Sequence, residues 1–180
     1  HEDPRRQRQM CIRDRTLTAG SVAATDLTAI DAATTKVVDG SAITTITGSA
    51  AEIAAAATLD AAPQTTNLGN FAATVSEGAV SAADLTTIST QTSGTVNATA
   101  ATAINGTASA VATALADTEI THSDSFAVTL TAGSAAATDL TAIDAATSAV
   151  VDGSAITTIT GTAAAIACLL YTSPSPRDTG

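Results

Sequence analysis

The chain has 180 residues, 17 of them acidic and 7 basic, for a net charge of −10, and only 2% are aromatic. Between Thr16 and Ala167 the 13 acidic residues face one cation, Lys36, so there is no basic footprint to displace counterions from phosphate and nucleic acid is excluded as a partner. No run of about 18 apolar residues is present to insert in a membrane, and with both cysteines, Cys11 and Cys168, near the ends, the interior has no disulfide framework, thiolate nucleophile or Cys-based metal site.

In chain order the first segment is Arg5-Arg-Gln-Arg-Gln-Met-Cys-Ile-Arg-Asp-Arg15, and its counterpart at the far end is Cys168-Leu-Leu-Tyr-Thr-Ser-Pro-Ser-Pro-Arg-Asp178. Codons for Met10 to Asp14, written ATG TGT ATA AGA GAC and extended by one A from Arg15, reverse-complement to a string that translates as Cys-Leu-Leu-Tyr-Thr, which is Cys168 to Thr172. Nothing in protein physics relates the two ends of a chain in this way. Both ends resemble translated sequencing-library adapter, so residues 1–15 and 168–180 are expected to be adapter-derived and are set aside from fold reasoning. The alternative is a basic arm and a Pro-rich tail.

The remaining 152 residues contain 43 Ala and 33 Thr, a bias typical of repeats. Asp26-Leu-Thr-Ala-Ile-Asp-Ala-Ala-Thr34 returns as Asp139 to Thr147, with a looser copy at Asp84 to Thr92; the anchor aspartates stand 58 and 55 residues apart. Aligning Thr16 to Ala54 with Thr129 to Ala167 gives 39 positions of which five differ. We therefore divide the chain into repeat 1 (16–72, truncated at its start), repeat 2 (73–127) and repeat 3 (128–167, truncated at its end).

Within a copy, Phe126, Val128 and Leu130 alternate with Ala127, Thr129 and Thr131, and Phe71, Ala73 and Val75 repeat the pattern, as in a strand with one larger apolar face. Gly78 or Gly133 is expected to end it. Ala136 to Thr147, with Leu140 and Ile143 three apart, fits a short amphipathic helix, and Ser81 with Asp84 fits an N-cap. The second half opens on Val37-Val38, Thr95-Val96 or Val150-Val151, stopping at Asp39-Gly40, Asn97-Ala98 or Asp152-Gly153. Ile43-Thr-Thr-Ile46 suits either a further strand or a packed loop. Ser49-Ala-Ala-Glu52 is a capping box ahead of an alanine helix, matched by Thr107 to Ala116. Leu59 to Asn70, with Pro63, and Asp117 to Ser125 are expected to be surface connections.

Strand, helix, strand, helix in a repeat of about 55 residues means two βα units per copy. The right-handed crossover rule makes the strands parallel. The expected fold is an α/β repeat protein, a right-handed βα solenoid. Each unit has too few large apolar residues to hold itself together, so its first partners are the neighbouring repeats. Uncapped ends should make the chain self-associate.

Candidate chemistry is thin. His122 with Asp124 could pair catalytically, but a solvated loop histidine explains them, and no nucleophile elbow, phosphate loop or dinucleotide fingerprint occurs, so no enzyme is expected. Asp39-Gly-Ser and Asp152-Gly-Ser, with Asp31 and Asp144 nearby, are weak calcium candidates; Asn97-Ala-Thr in the middle copy argues for turn aspartates instead. Thr16-Leu-Thr18 and Thr129-Leu-Thr131 are too sparse for an ice-binding array.

Phe126-Ala-Val-Thr-Leu-Thr, Asp139-Leu-Thr-Ala-Ile-Asp-Ala-Ala-Thr and Ile156-Thr-Thr-Ile-Thr-Gly-Thr-Ala-Ala-Ala-Ile together resemble the Ala/Thr-rich tandem repeats of very large bacterial secreted or cell-surface, adhesin-like proteins. The resemblance covers Thr16 to Ala167. It implies an extracellular or cell-surface location and a stalk or surface array, with a surface ligand possible in principle and calcium bound by nonapeptides that this chain lacks. A calcium- or ligand-binding repeat module is the alternative, and no functional residues carry over from the resemblance.

Overall fold

Alanine-rich stretches favour helix and β-branched Thr, Val and Ile favour strand, and the chain alternates the two. The computed structural model describes residues 15–61, 65–66, 68–76 and 78–172. Residues 1–14 and 173–180 of the adapter-like ends lie outside the described residues, as does Pro63.

The first copy contains β1 (Arg15–Thr16), β2 (Gly20–Ala23), α1 (Ala24–Ala32), β3 (Val38–Asp39), β4 (Ile43–Gly48) and α2 (Ala50–Ala57). A 3-10 turn at Thr58–Ala61 and β5 (Thr65–Thr66) lead into the second copy: β6 (Ala72–Val75), β7 (Gly78–Ser81), α3 (Ala82–Gln91), β8 (Val96–Asn97), β9 (Ala101–Gly106) and α4 (Ala108–Ala116). β10 (Ile120–Thr121) precedes β11 (Ala127–Leu130), β12 (Gly133–Ala136), α5 (Ala137–Ala146), β13 (Val151–Asp152), β14 (Ile156–Thr160) and α6 (Ala163–Thr172).

The fold is α/β, and the described strand pairs are all parallel. They form open ladders rather than a closed barrel. β2, β4, β6, β8 and β10 make one ladder, β7, β9, β11 and β13 a second, β1, β3 and β5 a third, and β12 with β14 a fourth. Each helix touches the next along the chain, from α1 through α6.

The ladders overlap because β6 and β7, and likewise β11 and β12, follow one another closely in the chain but pair with different neighbours. β6 lies between β4 and β8 while β7 pairs with β9; β11 lies between β9 and β13 while β12 pairs with β14. The switch falls at Gly78 and Gly133, where φ is +132° and +144° and the register slips by one residue. These glycines were expected to end the strand. Instead their left-handed backbone, open to glycine without steric cost, bulges the chain and lets a new strand begin there.

Other expectations are settled in the same way. Ile43 to Ile46 belongs to strand β4, and its equivalents form β9 and β14. The connections after α2 and α4 are not plain loops, because they place β5 and β10 beside β3 and β8. Each complete copy thus keeps the two expected helices but has more extended segments than the two expected.

The core follows the alternation. Phe71, Ala73 and Val75, and likewise Phe126, Val128 and Leu130, are buried, as are Leu85 and Ile88 on α3 and Ile53 on α2. Alanines fill the space between layers, and Gly106 shows why side chains are small there. With φ +158°, it would bring an added Cβ to 3.3 Å from that of Ala82, the first residue of α3. Helix starts are capped by Ser49, Ser81, Thr107 and Thr162, whose side chains accept from the backbone N–H three residues on, at 3.2–3.4 Å. Ala23 and Ala136 occupy the Ser81 position without a side-chain cap. The capping box is complete: the Glu52 carboxylate accepts from the Ser49 N–H and hydroxyl, each at 2.9 Å.

Two outcomes follow from this packing. Ile46, Ile104 and Ile159 are equivalent residues, but the first two are 0% exposed and the third 39%. Ile104→Ala should cost about 2–5 kcal/mol, whereas Ile159→Ala in dilute solution should stay within about 0.5 kcal/mol; urea melts of both variants check this. Hydrogen bonds from the Ser49 backbone first, and then its hydroxyl, hold the Glu52 carboxyl below the ordinary glutamate value. A lowered folded value means that the contribution is complete above the unfolded value and is lost as pH falls through the folded one. Glu52→Ala should therefore melt below wild type at neutral pH, and the gap should close in acid.

Candidate functional site at the turns

The short strands β3, β8 and β13 end on an Asp or Asn whose side chain closes the next turn. Asp39 Oδ1 accepts from the Ser41 N–H at 3.0 Å, and Asp152 Oδ1 from the Ser154 N–H at 3.0 Å. Asn97 Oδ1 accepts from the Thr99 N–H at 3.1 Å and its hydroxyl at 2.7 Å. After α4, Asp117 Oδ1 accepts from the Glu119 N–H at 3.0 Å. These are Asx turns, in which the side chain stands in for a backbone acceptor. Because Asn97 makes the same contact without charge, the geometry asks for a side-chain oxygen two residues before a donor and not for an anion. Bonds from Ser154, its backbone first, hold the Asp152 carboxyl below the ordinary aspartate value.

The weak calcium candidates are not gathered into a cage. Asp31 lies on α1, where its Oδ1 accepts from the Thr65 hydroxyl of β5 at 2.8 Å, and Asp144 is exposed on α5. Among the described residues, no group of three or more His, Cys, Asp or Glu is placed to hold a metal ion.

His122 is half-buried rather than solvated. Its ring stands edge-on to Phe126, with centroids 5.1 Å apart and planes at 77°, and Nδ1 lies 3.0 Å from the Ser123 carbonyl oxygen. Such an aromatic pair is a packing contact. Asp124 contributes its backbone carbonyl, which accepts from both the N–H and the hydroxyl of Ser148 at 2.8 Å. The sequence pair His122 and Asp124 thus anchors the connection into β11.

The polar contacts that matter most were not singled out in the sequence. The Thr92 hydroxyl donates to the Phe71 carbonyl and accepts from the Gly94 N–H at 3.0 Å. Thr147 repeats this, donating to the Phe126 carbonyl at 2.5 Å and accepting from the Ala149 N–H at 3.1 Å. Both threonines are buried; each stops a helix and ties it to the strand one layer back. The signal was available, since Thr34, Thr92 and Thr147 hold one position in all copies. Ser89 on α3, equivalent to Asp31, donates to Asp117 Oδ2 at 2.6 Å, so donor and acceptor have changed sides between copies. Every described buried side-chain nitrogen or oxygen has a hydrogen-bond partner.

Threonines on the strands do not line up as an uninterrupted row either. Thr16 pairs with Asp39, Thr74 with Asn97 and Thr129 with Asp152.

Because the turn needs an oxygen acceptor, Asp152→Ala, which removes it, should melt below Asp152→Asn, which keeps it. Differential scanning calorimetry of the pair decides this.

Compared with protein families, curated proteins and solved structures, the chain finds no match.

Proposed function

We propose that the chain is a non-catalytic structural or adhesive repeat segment of a large extracellular bacterial protein, a piece of stalk or surface array. Its fold is a right-handed βα solenoid with two βα units per copy, extended by stacking one layer on the next. One observation carries the reading: the caps at Ser49, Thr107 and Thr162 and the turns at Asp39, Asn97 and Asp152 recur at equivalent places in the three copies, and Thr92 and Thr147 repeat one tie to a preceding carbonyl, so the polar residues serve the fold. Parallel ladders running from copy to copy support it, as does the contact of each helix with the next. Near-identity of the first and third copies suits interchangeable spacer units, since a copy with its own site would be expected to diverge. The Ala/Thr-rich resemblance supplies the extracellular setting, and an acidic surface suits solubility in salt.

The competing reading is a calcium- or ligand-binding module centred on Asp39 and Asp152. Ligand that binds only the folded chain raises its melting temperature by mass action. A calcium titration followed by thermal melting should therefore give no more shift than magnesium at equal ionic strength. A large calcium-specific stabilisation would transfer the proposal to the binding module.

A further inference from the structure

The connection that leaves each copy is held from two directions. From the copy that follows, the Thr92 hydroxyl donates to the Phe71 carbonyl and the Ser93 N–H to the Gly69 carbonyl at 3.3 Å. Thr147 and Ser148 grip the Phe126 and Asp124 carbonyls in the same manner. The Ser93 hydroxyl also meets Asn70 Oδ1 at 2.9 Å, but the Ser148 hydroxyl meets the Asp124 carbonyl instead, so the shared part of this grip is made to backbone. A carbonyl is present at every residue, and such contacts hold any connection without selecting one.

From the copy before, one residue reads a side chain. Asp31 on α1 and Ser89 on α3 stand at the same place, five residues after Asp26 and Asp84. Asp31 Oδ1 accepts from the Thr65 hydroxyl of β5 at 2.8 Å, whereas the Ser89 hydroxyl donates to Asp117 Oδ2 at 2.6 Å. The ladder position of Thr65 is taken in the second connection by Ile120: Thr65 lies opposite Val38, and Ile120 opposite its equivalent Val96. Isoleucine has no donor to offer. The contact moves three residues earlier, to Asp117, whose other oxygen closes its own turn on the Glu119 N–H at 3.0 Å. Thr65, Ser89 and Ile120 are buried, and Asp31 and Asp117 are half-buried. Where water is this limited, an unmatched charge or donor is costly.

We infer that the residue at 31 or 89 is a selector that matches a copy to the connection leaving it. An aspartate takes a connection with a hydroxyl on its short strand; a serine takes one with a carboxylate ahead of that strand. Mixed combinations are unfavourable. Ser89→Asp would set a second carboxylate beside Asp117, where like charges repel and Ile120 gives no donor in compensation. Asp31→Ser would leave Thr65 facing another hydroxyl, exchanging a charge-assisted bond for a weaker neutral one. The two connections differ in length, and with them the spacing of the anchor aspartates, 58 and 55 residues, so the selector also ties that spacing to the copy's own first helix. Nothing in this match depends on the extracellular setting proposed above.

Thermal melts of the full chain, followed by circular dichroism, test the match as a double-variant cycle. Ser89→Asp should melt at least about 2–4 °C below wild type, the shift that one lost hydrogen bond gives in a chain of this length. Asp117→Ser should also melt lower, while S89D/D117S, with donor and acceptor exchanged, should melt above Ser89→Asp. An aspartate late in a helix opposes the helix dipole; that cost is present with and without Asp117 and cancels in the cycle. In the first copy, Asp31→Ser, which installs the residue natural to the second, should melt below wild type as well. Should Ser89→Asp alone fail to fold, recovery of a folded chain in S89D/D117S is the same result. Ser89→Asp melting with wild type, or a double variant that loses the full sum of the two single losses, would overturn the selector. These melts contain no calcium, so their failure is distinct from a calcium-specific shift and leaves the proposed function to its own test.

Discussion

The parallel contact between one layer's strand and the next is the interaction on which the rest depends. Ile46 and Ile104 are completely buried because β6 and β11 lie across β4 and β9. Ile159, with the same sequence neighbours as Ile46, is not. Burying a side chain of this size stabilises by about 1.5–3 kcal/mol, and a unit such as β3–β4–α2, whose larger apolar side chains are Val37, Val38, Ile43, Ile46 and Ile53, has little else to set against its chain entropy. On the proposed stacked-repeat reading, stability belongs to junctions rather than to copies.

Small residues are the geometric price of that arrangement. Gly106 sits so near Ala82 that an added Cβ would come to 3.3 Å of the Ala82 methyl, leaving no room for a larger side chain at either place without a shift. Alanine helices can then pack closely, and the few large residues, Phe71 and Phe126 foremost, fill the interior behind them. Polar chemistry is spent on continuity in the same way. Thr92 and Thr147 reach back one layer to the Phe71 and Phe126 carbonyls, while Ser89 and Asp31 reach forward to Asp117 and Thr65. The aspartates of the turns are likewise engaged by the N–H groups beside them.

Much of this was legible in the amino-acid order. The copies, the helices around Leu85 and Ile143, the Ser49–Glu52 capping box and the parallel α/β class follow from periodicity and capping chemistry, which act within a few residues. The candidate sites were legible only as residue types. His122 and Asp124 are adjacent in the chain, yet one packs on Phe126 and the other offers its backbone to Ser148. The turn reading of Asp39 and Asp152 could be made because Asn97 at the same place carries no charge.

Sequence by itself determined the repeat, its spacing and the local caps, since each is a pattern of side chains along one segment. Only the tertiary structure decided that Gly78 and Gly133 begin strands instead of ending them, that β5 and β10 join the ladders, and that Ile159 is exposed where Ile46 is not. Those outcomes depend on which backbone edge lies alongside. Strand pairing is satisfied between segments distant in sequence, and identical local strings meet different neighbours at the middle and at the end of a stack.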